Sequence, residues 1–297
     1  MSRGRKIAEM KSGLPGWIAP VVVAGAFLFF LASETLRPLR RQRESKLRRM
    51  ARNLTFAGLG AATIELLQIP ILLPISAWVI RERIGLLHWL GLSGWARTLA
   101  GIVLLDYTLW FWHWANHRIF FFWRFHSVHH VDLDMDASTA LRFHFGELGM
   151  SVFFRALQIV AIGTDPRSVA IYQILLFACI LFHHSNTRLP LWLERILVRV
   201  IVTPRMHGIH HSDYLNETNT NWSSLLSAWD YLHGTIRLDI PQEAIQIGVP
   251  AYQQPERVTL GKILAMPFTR RGEDWKRPDG RPSLRQHSDG SQTTLQP

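Results

Sequence analysis

Five stretches of this chain are apolar over enough positions to approach the roughly 20 residues of a helical membrane span. The first, Trp17 to Ala32, has a tryptophan at one boundary and arginines beyond the other, and reads as a retained span instead of a cleaved leader. The second, Phe56 to Ile80, contains Pro70 and Pro74, which remove backbone hydrogen bonds and are expected to bend it. The third, about Thr98 to Trp112, carries Asp106 in its middle. The fourth and fifth, Leu148 to Ile162 and Ser168 to Phe182, form a hairpin around Gly163-Thr164-Asp165-Pro166, and both are short enough to suggest tilt or partial penetration. Ile84 to Ala96 and Leu189 to Val202 suit the membrane interface, and from Thr269 onward the chain has the composition of a disordered tail.

Charge adds an orientation. The net charge of +11 is concentrated in Leu36 to Asn53, between the first two spans, a placement that favours anionic lipid headgroups over nucleic acid. That segment holds eight Lys/Arg against four before Trp17, which puts it on the cytoplasmic side. Counting crossings from there brings Trp112 and His184 out on the same cytoplasmic face. The single cysteine, Cys179, excludes an intramolecular disulfide and a cysteine-based metal site.

Histidine changes the picture most. Of 14 histidines, eleven lie between positions 113 and 211. His113 and His117 are four apart and share a helix face, so they can grip one ion. His126, His129 and His130 stand at i, i+3 and i+4, and His207, His210 and His211 repeat that spacing, so each triplet is expected to point three imidazoles in roughly one direction. Imidazole suits iron, zinc, copper or nickel, and eight such ligands exceed one coordination sphere, so two ions are the economical reading. His184 joins the set as a further ligand at the end of the hairpin, next to Asn186, whereas His183 is expected to point elsewhere. Asp106, two helical turns before His113, can accept a ring N–H, and His144 with Glu147 can add a ligand or a hydrogen bond. The alternative is a membrane metal transporter or a non-catalytic metal-binding membrane protein. A transporter would place its ligands at mid-bilayer in broken helices, whereas these flank the spans.

HWANH (113–117), HSVHH (126–130) and HGIHH (207–211) resemble the fatty acid hydroxylase/sterol desaturase superfamily of membrane di-iron oxygenases. The likeness extends to Asp106, TALRFH (139–144) with Glu147, HSN (184–186), TPRMH (203–207), WD (229–230) and GT (234–235). The chain departs from that pattern at Asn221-Trp222-Ser223, where Asn-Tyr-Gly is usual, and at His233, where an aromatic is common.

The resemblance implies an all-α fold: an integral, multi-pass membrane bundle with a cytoplasmic histidine-rich metal-binding cap. It implies an N-terminal membrane region at 1–98, a catalytic domain at 99–240 and a polar tail at 241–297. His113, His117, His126, His129, His130, His184, His207, His210 and His211 would hold two iron ions, with zinc as an inactive replacement. Asp106, His144, Glu147 and Asn186 would assist catalysis. The expected reaction is hydroxylation or desaturation of a lipid C–H bond with O2, and electrons would come from a separate ferredoxin-type or cytochrome-type donor.

Overall fold

The computed structural model describes residues 14–269, 274–281 and 283. Among the described residues twelve α-helices form the framework, and the only β-type pairings are isolated bridges. In chain order they are α1 (Ile18–Leu36), α2 (Lys46–Arg81), α3 (Leu86–Trp89), α4 (Gly94–Arg118), α5 (Phe120–His130), α6 (Phe145–Ile162), α7 (Pro166–His184), α8 (Leu191–Leu197), α9 (Pro204–His210), α10 (Leu215–Thr218), α11 (Ala228–His233) and α12 (Leu260–Ala265).

Among the described residues four helical segments are long and apolar enough to cross a membrane: α1, α2 continuing through α3, α6 and α7. The chain is therefore a multi-pass membrane protein. Their apolar side chains face outward, as Phe29 at 65% and Leu157 at 68% exposure illustrate, which is the arrangement lipid requires. The expected third span lies within the 25-residue α4, which is not among those four. Asp106 and the polar residues of its last turns lower its apolarity. The helix nevertheless runs the length of the bundle. Near its start Arg97 donates to the carbonyl of Gly163, and its last turn carries His113 and His117 into the cap. Pro70 and Pro74 both lie inside the continuous 36-residue α2. This helix packs most extensively on α6, closely enough that a Cβ on Gly60 would sit 2.6 Å from a methyl of Leu148.

Both ends of the bundle are tied by polar contacts. At one end the left-handed Gly163 ends α6 against the backbone of Gly85, and Asp165 caps α7 by accepting from Ser168 N–H. At the other, Glu34 at the end of α1 accepts from the backbone N–H of Ala137 (2.9 Å) and of Asn186 (3.0 Å) and pairs with Lys46. The basic segment departs from its expected role there. Arg37, Arg41, Arg43 and Arg48 are exposed, but Arg49 and Arg52 turn inward. Arg49 pairs with Asp132 and Asp136, and Arg52 pairs with Glu44. Asp132 also takes Arg142 at 3.1 Å. Burial alone would raise its carboxyl, but Arg49, Arg142 and Arg52 hold it below the usual range. These pairs lock the start of α2 to the loop that follows α5. They also place the basic segment and the histidines at the same end of the bundle.

The cap reaches beyond residue 240. Val249, Val258, Ile263 and Met266 pack with Phe56, Trp123, Val128, Val131 and Leu133 in one buried cluster, so the segment through α12 belongs to the folded body. Its apolar positions are too sparse to show a period, which is why a polar tail was expected from 241. The disordered tail expected from Thr269 is packed where it is described, since Asp274 accepts from Trp123 Nε1 (3.0 Å) and Trp275 stacks on Trp123; residues 270–273, 282 and 284–297 lie outside the described residues.

Candidate metal centre

Local rules place the rings. Thr203 has extended backbone and accepts from Met206 N–H, and Pro204 fills the first helical position, so TPRMH starts α9 with His207, His210 and His211 at its end. Gly208 sits between them because Arg40 packs on it. The guanidinium donates to the carbonyl of Pro204 (2.6 Å) and to Gln242 (3.0 Å) and would collide with a Cβ. At the C-terminal end of α5, Arg142 donates to the Val128 carbonyl at 2.8 Å and fixes HSVHH.

All nine histidines expected as ligands converge, in two sets. His113, His117, His126, His130 and His210 form one, and His129, His184, His207 and His211 the other; within each, one nitrogen per ring lies within 4.8 Å of all its fellows. The triplets do not each point one way. His126 and His130 go to the first set and His129 to the second, while His207 and His211 go to the second and His210 to the first. The reason is angular. Residues i and i+4 differ by about 40° around a helix, but i+3 and i+4 differ by about 100°, enough to aim at opposite sides of the helix face. α5 and α9 therefore exchange roles, each giving a pair to one set and a single ring to the other.

The donor chemistry fits cations. In the second set the Nε2 of His184 lies 3.0 Å from that of His129 and 3.0 Å from that of His207, which is 3.1 Å from that of His211. The Nδ1 of His184 donates to the Ile180 carbonyl at 2.9 Å, so its Nε2 presents one lone pair to two other nitrogens. One lone pair cannot serve both; an ion between them can. An all-imidazole donor set of this kind would suit iron, zinc, copper or nickel. In the first set the Nε2 atoms of His117, His126, His130 and His210 are buried without a protein partner. Three of its rings are oriented from behind through Nδ1: His113 by the Trp222 carbonyl (2.7 Å), His126 by Glu147 (2.8 Å) and His210 by the Thr220 carbonyl (2.8 Å). Such partners fix the tautomer and leave Nε2 free to ligate.

Electrostatics agree. Burial pushes His210 down to about 3, although the Thr220 carbonyl pulls the other way. Burial and then neighbouring imidazoles hold His130, His207 and His211 well below the usual histidine value. These rings are neutral near pH 7, the form that binds a metal. Bound at the two sets, redox-active ions would supply the electrons that activate O2 and the oxidising power to attack an unactivated C–H bond.

The remaining expected residues have other partners. Asp106 meets no histidine. It accepts from Trp229 Nε1 (2.6 Å), Leu226 N–H (3.1 Å) and Tyr172 Oη (3.4 Å), and so anchors the 222–229 segment. That segment carries the carbonyl that orients His113. Glu147 acts through His126. Asn186 is outside both donor sets; it exchanges hydrogen bonds with the backbone of Arg40. His144 is also outside them, capping α6 through Nδ1 and donating from Nε2 to the Leu264 carbonyl. His183 belongs to neither set, although its ring packs against His207 with centroids 4.1 Å apart and a tilt of 52°.

Asp230, read only as part of a motif, is a main organiser of the centre. It accepts from the N–H groups of Trp222 (3.0 Å) and Ser223 (2.9 Å), from Trp110 Nε1 and from Thr235. Asn221, at φ 55°, completes the turn by bonding the backbone of Met206 and Arg237. The Asn–Trp–Ser departure keeps this asparagine, and His233 fills its slot as an aromatic ring, stacked on Trp110 at 4.1 Å. No pattern of periodicity marks these residues, since their work is done by backbone contacts across the chain.

A cavity of about 390 Å³ leads from the rings of His113, His126, His129, His184 and His207 into the bundle. Ile64, Leu72, Leu109, Leu148, Leu176 and Phe177 make it mainly apolar. Residues 98–235 match the fatty acid hydroxylase family. That segment contains all nine histidines of the two donor sets and is similar to the fatty acid hydroxylase/sterol desaturase superfamily. Among curated proteins it is similar to an ornithine lipid hydroxylase, OlsE, of Rhizobium tropici, at 30% identity over 59% of this chain and 51% of that protein. It is also similar to the cholesterol 25-hydroxylase of Mus musculus, at 25% identity over 57% and 56%. A very-long-chain aldehyde decarbonylase, GL1-5, of Oryza sativa subsp. indica aligns at 26% identity over 48% of this chain and 24% of its own length. The chain thus spans about half the length of the two hydroxylases it matches. No solved structure matches it.

Proposed function

We propose that this chain is a membrane-bound lipid oxygenase that hydroxylates or desaturates a C–H bond with O2 and electrons from a separate ferredoxin-type or cytochrome-type donor. One observation carries the reading: two convergent sets of neutral imidazoles form the end wall of an apolar cavity inside a membrane bundle. His113, His117, His126, His130 and His210 would hold one iron, and His129, His184, His207 and His211 the other. Iron is preferred to zinc because the proposed reaction requires a redox-active ion. Glu147 positions His126, and Asp106 positions the segment behind His113. Asn186 and His144 hold the cap to the bundle instead of touching substrate. Residues 99–240, extended by the packed segment through α12, would be the catalytic unit. Charge bias in the basic segment at the same end supports a cytoplasmic location for that unit. The matched relatives' lipid substrates and hydroxylase names support the reaction class.

The test combines metal analysis with lipid mass spectrometry. Purified protein should carry about two irons per chain, and cells expressing it should contain a lipid with one oxygen more or two hydrogens fewer than in cells without it. Metal transport across vesicles with no O2 consumption would overturn the proposal.

A further inference from the structure

Arg155 sits in the middle of α6, a membrane-crossing helix, and lines the cavity that ends at the histidines. A cation at that depth is costly unless something answers its charge. Its Nη1 is buried without a hydrogen-bond partner, and its guanidinium carbon lies 5.1 Å from the centre of the Tyr172 ring. Asp106 attracts it from beyond Tyr172 without forming an ion pair: one oxygen takes the Tyr172 hydroxyl and the other takes Leu226 N–H and Trp229 Nε1. Glu147, the acid that lines this cavity, gives one oxygen to His126, two turns of α6 away. Two amides, Gln68 and Gln173, line the same cavity. They also line a second cavity of about 480 Å³, bounded by α1, α2 and α7, and Leu72 and Phe177 are shared as well. The polar belt of Arg155, Gln68 and Gln173 thus stands at the junction of an inner chamber facing the metal ligands and an outer apolar chamber.

We infer that Arg155 binds an anionic group of the lipid substrate, a carboxylate or a phosphate. This rests on the oxygenase reading and narrows its substrate class to lipids that carry such a group. Guanidinium is suited to oxyanions by its planar fork of donors. The amides add neutral hydrogen bonds, and the outer chamber takes hydrocarbon. Arg155 lies eight residues beyond Glu147 on α6, about 12 Å along the axis, and a long helical side chain leans back toward the helix N-terminus, here the metal end. The oxidised carbon therefore lies near the charged end of the lipid and not at the far tip of a long acyl chain.

The full chain, Arg155→Lys and Arg155→Gln are expressed in cells that lack it. Metal content, oxidised lipids and the lipids retained on purified protein after detergent exchange are measured by mass spectrometry. The parent should oxidise a lipid bearing a carboxylate or phosphate, near that group, and the product's identity distinguishes the two. Arg155→Gln, at unchanged metal content, should lose about tenfold or more of both the product and the retained anionic lipid, with Arg155→Lys between. A neutral lipid as the oxidised product, or Arg155→Gln acting like the parent, overturns the inference and leaves the oxygenase reading intact. If Arg155→Gln does not accumulate, the parent's product decides alone. If the parent oxidises no lipid, the oxygenase reading fails. Equal retention of anionic lipid by parent and Arg155→Gln would then remove the binding role too.

Discussion

The two donor sets are built from the same helices but held differently. In the five-histidine set, backbone carbonyls of Trp222 and Thr220 and the carboxylate of Glu147 grip His113, His210 and His126 from behind. In the four-histidine set only His184 has such a hold, from the Ile180 carbonyl, and the Nδ1 atoms of His129, His207 and His211 are buried without protein partners. One set is oriented by the protein; the other depends on the ion to orient it. The first also has a donor to spare.

Removing donors should separate them most sharply. His207→Ala leaves three imidazoles in the second set, so product formation should be abolished and bound metal should fall from about two ions to about one per chain. His117→Ala leaves four in the first set, and two ions should remain with activity reduced. Metal analysis beside turnover reads both. Equal metal loss from the two variants would show that the sets are not different in kind.

The next effect is on orientation. Glu147→Ala removes the acceptor behind His126 while leaving all nine rings, and should lower activity or metal affinity at the first set by about 10–100-fold. Glu147→Gln keeps an oxygen that can accept the ring N–H and should recover part of the loss. A titration of metal-stripped protein with iron would register the change in one binding step and not the other. If both steps weaken together, the rings share one electrostatic unit and the contrast collapses.

How much of this was legible beforehand follows from the kind of signal each residue gives. Spacing along a helix marks His113 with His117, and repetition marks the two triplets, so the nine rings could be read from the chain. Their division could not, because it depends on α5 and α9 facing each other across the centre. Apolar runs marked the bundle, and Asp106 broke the run in α4 while remaining part of it. Asp106 itself was read by its helical position toward His113, but its acceptor capacity goes to Trp229, Leu226 and Tyr172, contacts made between distant segments. Asp132 and Asp136, which no spacing pattern marks, are buried against arginines that the charge count alone assigned to lipid.

Acid should act on the metal-stripped protein through these same rings. His210 has a folded value of about 3 against an unfolded 6.5, so below the unfolded value the unfolded chain takes up protons first. Stability from this ring is full at higher pH and is lost as pH falls through the window between those values, at about 1.4 kcal/mol per pH unit. His130, His207 and His211 shift in the same direction and add to the slope. Melting curves of stripped protein should therefore move down between about pH 7 and pH 5.5, less steeply in His210→Ala. A melting temperature that does not change over that range would mean the rings are not buried neutral.

The smallest expected effect concerns a histidine outside both sets. His144 lies in TALRFH, close in sequence to Glu147, and by pattern alone belongs with the chemistry. Its ring instead accepts from Gly146 N–H at 3.0 Å through Nδ1, capping α6, and gives its Nε2 proton to the Leu264 carbonyl at 3.2 Å, fastening α12 to the cap. Both nitrogens are therefore spent on backbone, and neither remains for an ion. His144→Ala should cost about 1–3 kcal/mol of stability through the lost cap and the unpaired carbonyl. His144→Asn, which can still accept at the cap, should recover part of that. Turnover per folded, metal-loaded molecule should stay within about twofold of the parent in both, since no change reaches the centre. The decisive comparison is with His207→Ala, from the four-histidine set: that variant should fold and fail to turn over, whereas His144→Ala should fold less well and turn over normally. A His144→Ala protein that binds two ions, melts like the parent and has lost activity would return this residue to the chemistry and make the cap contacts incidental.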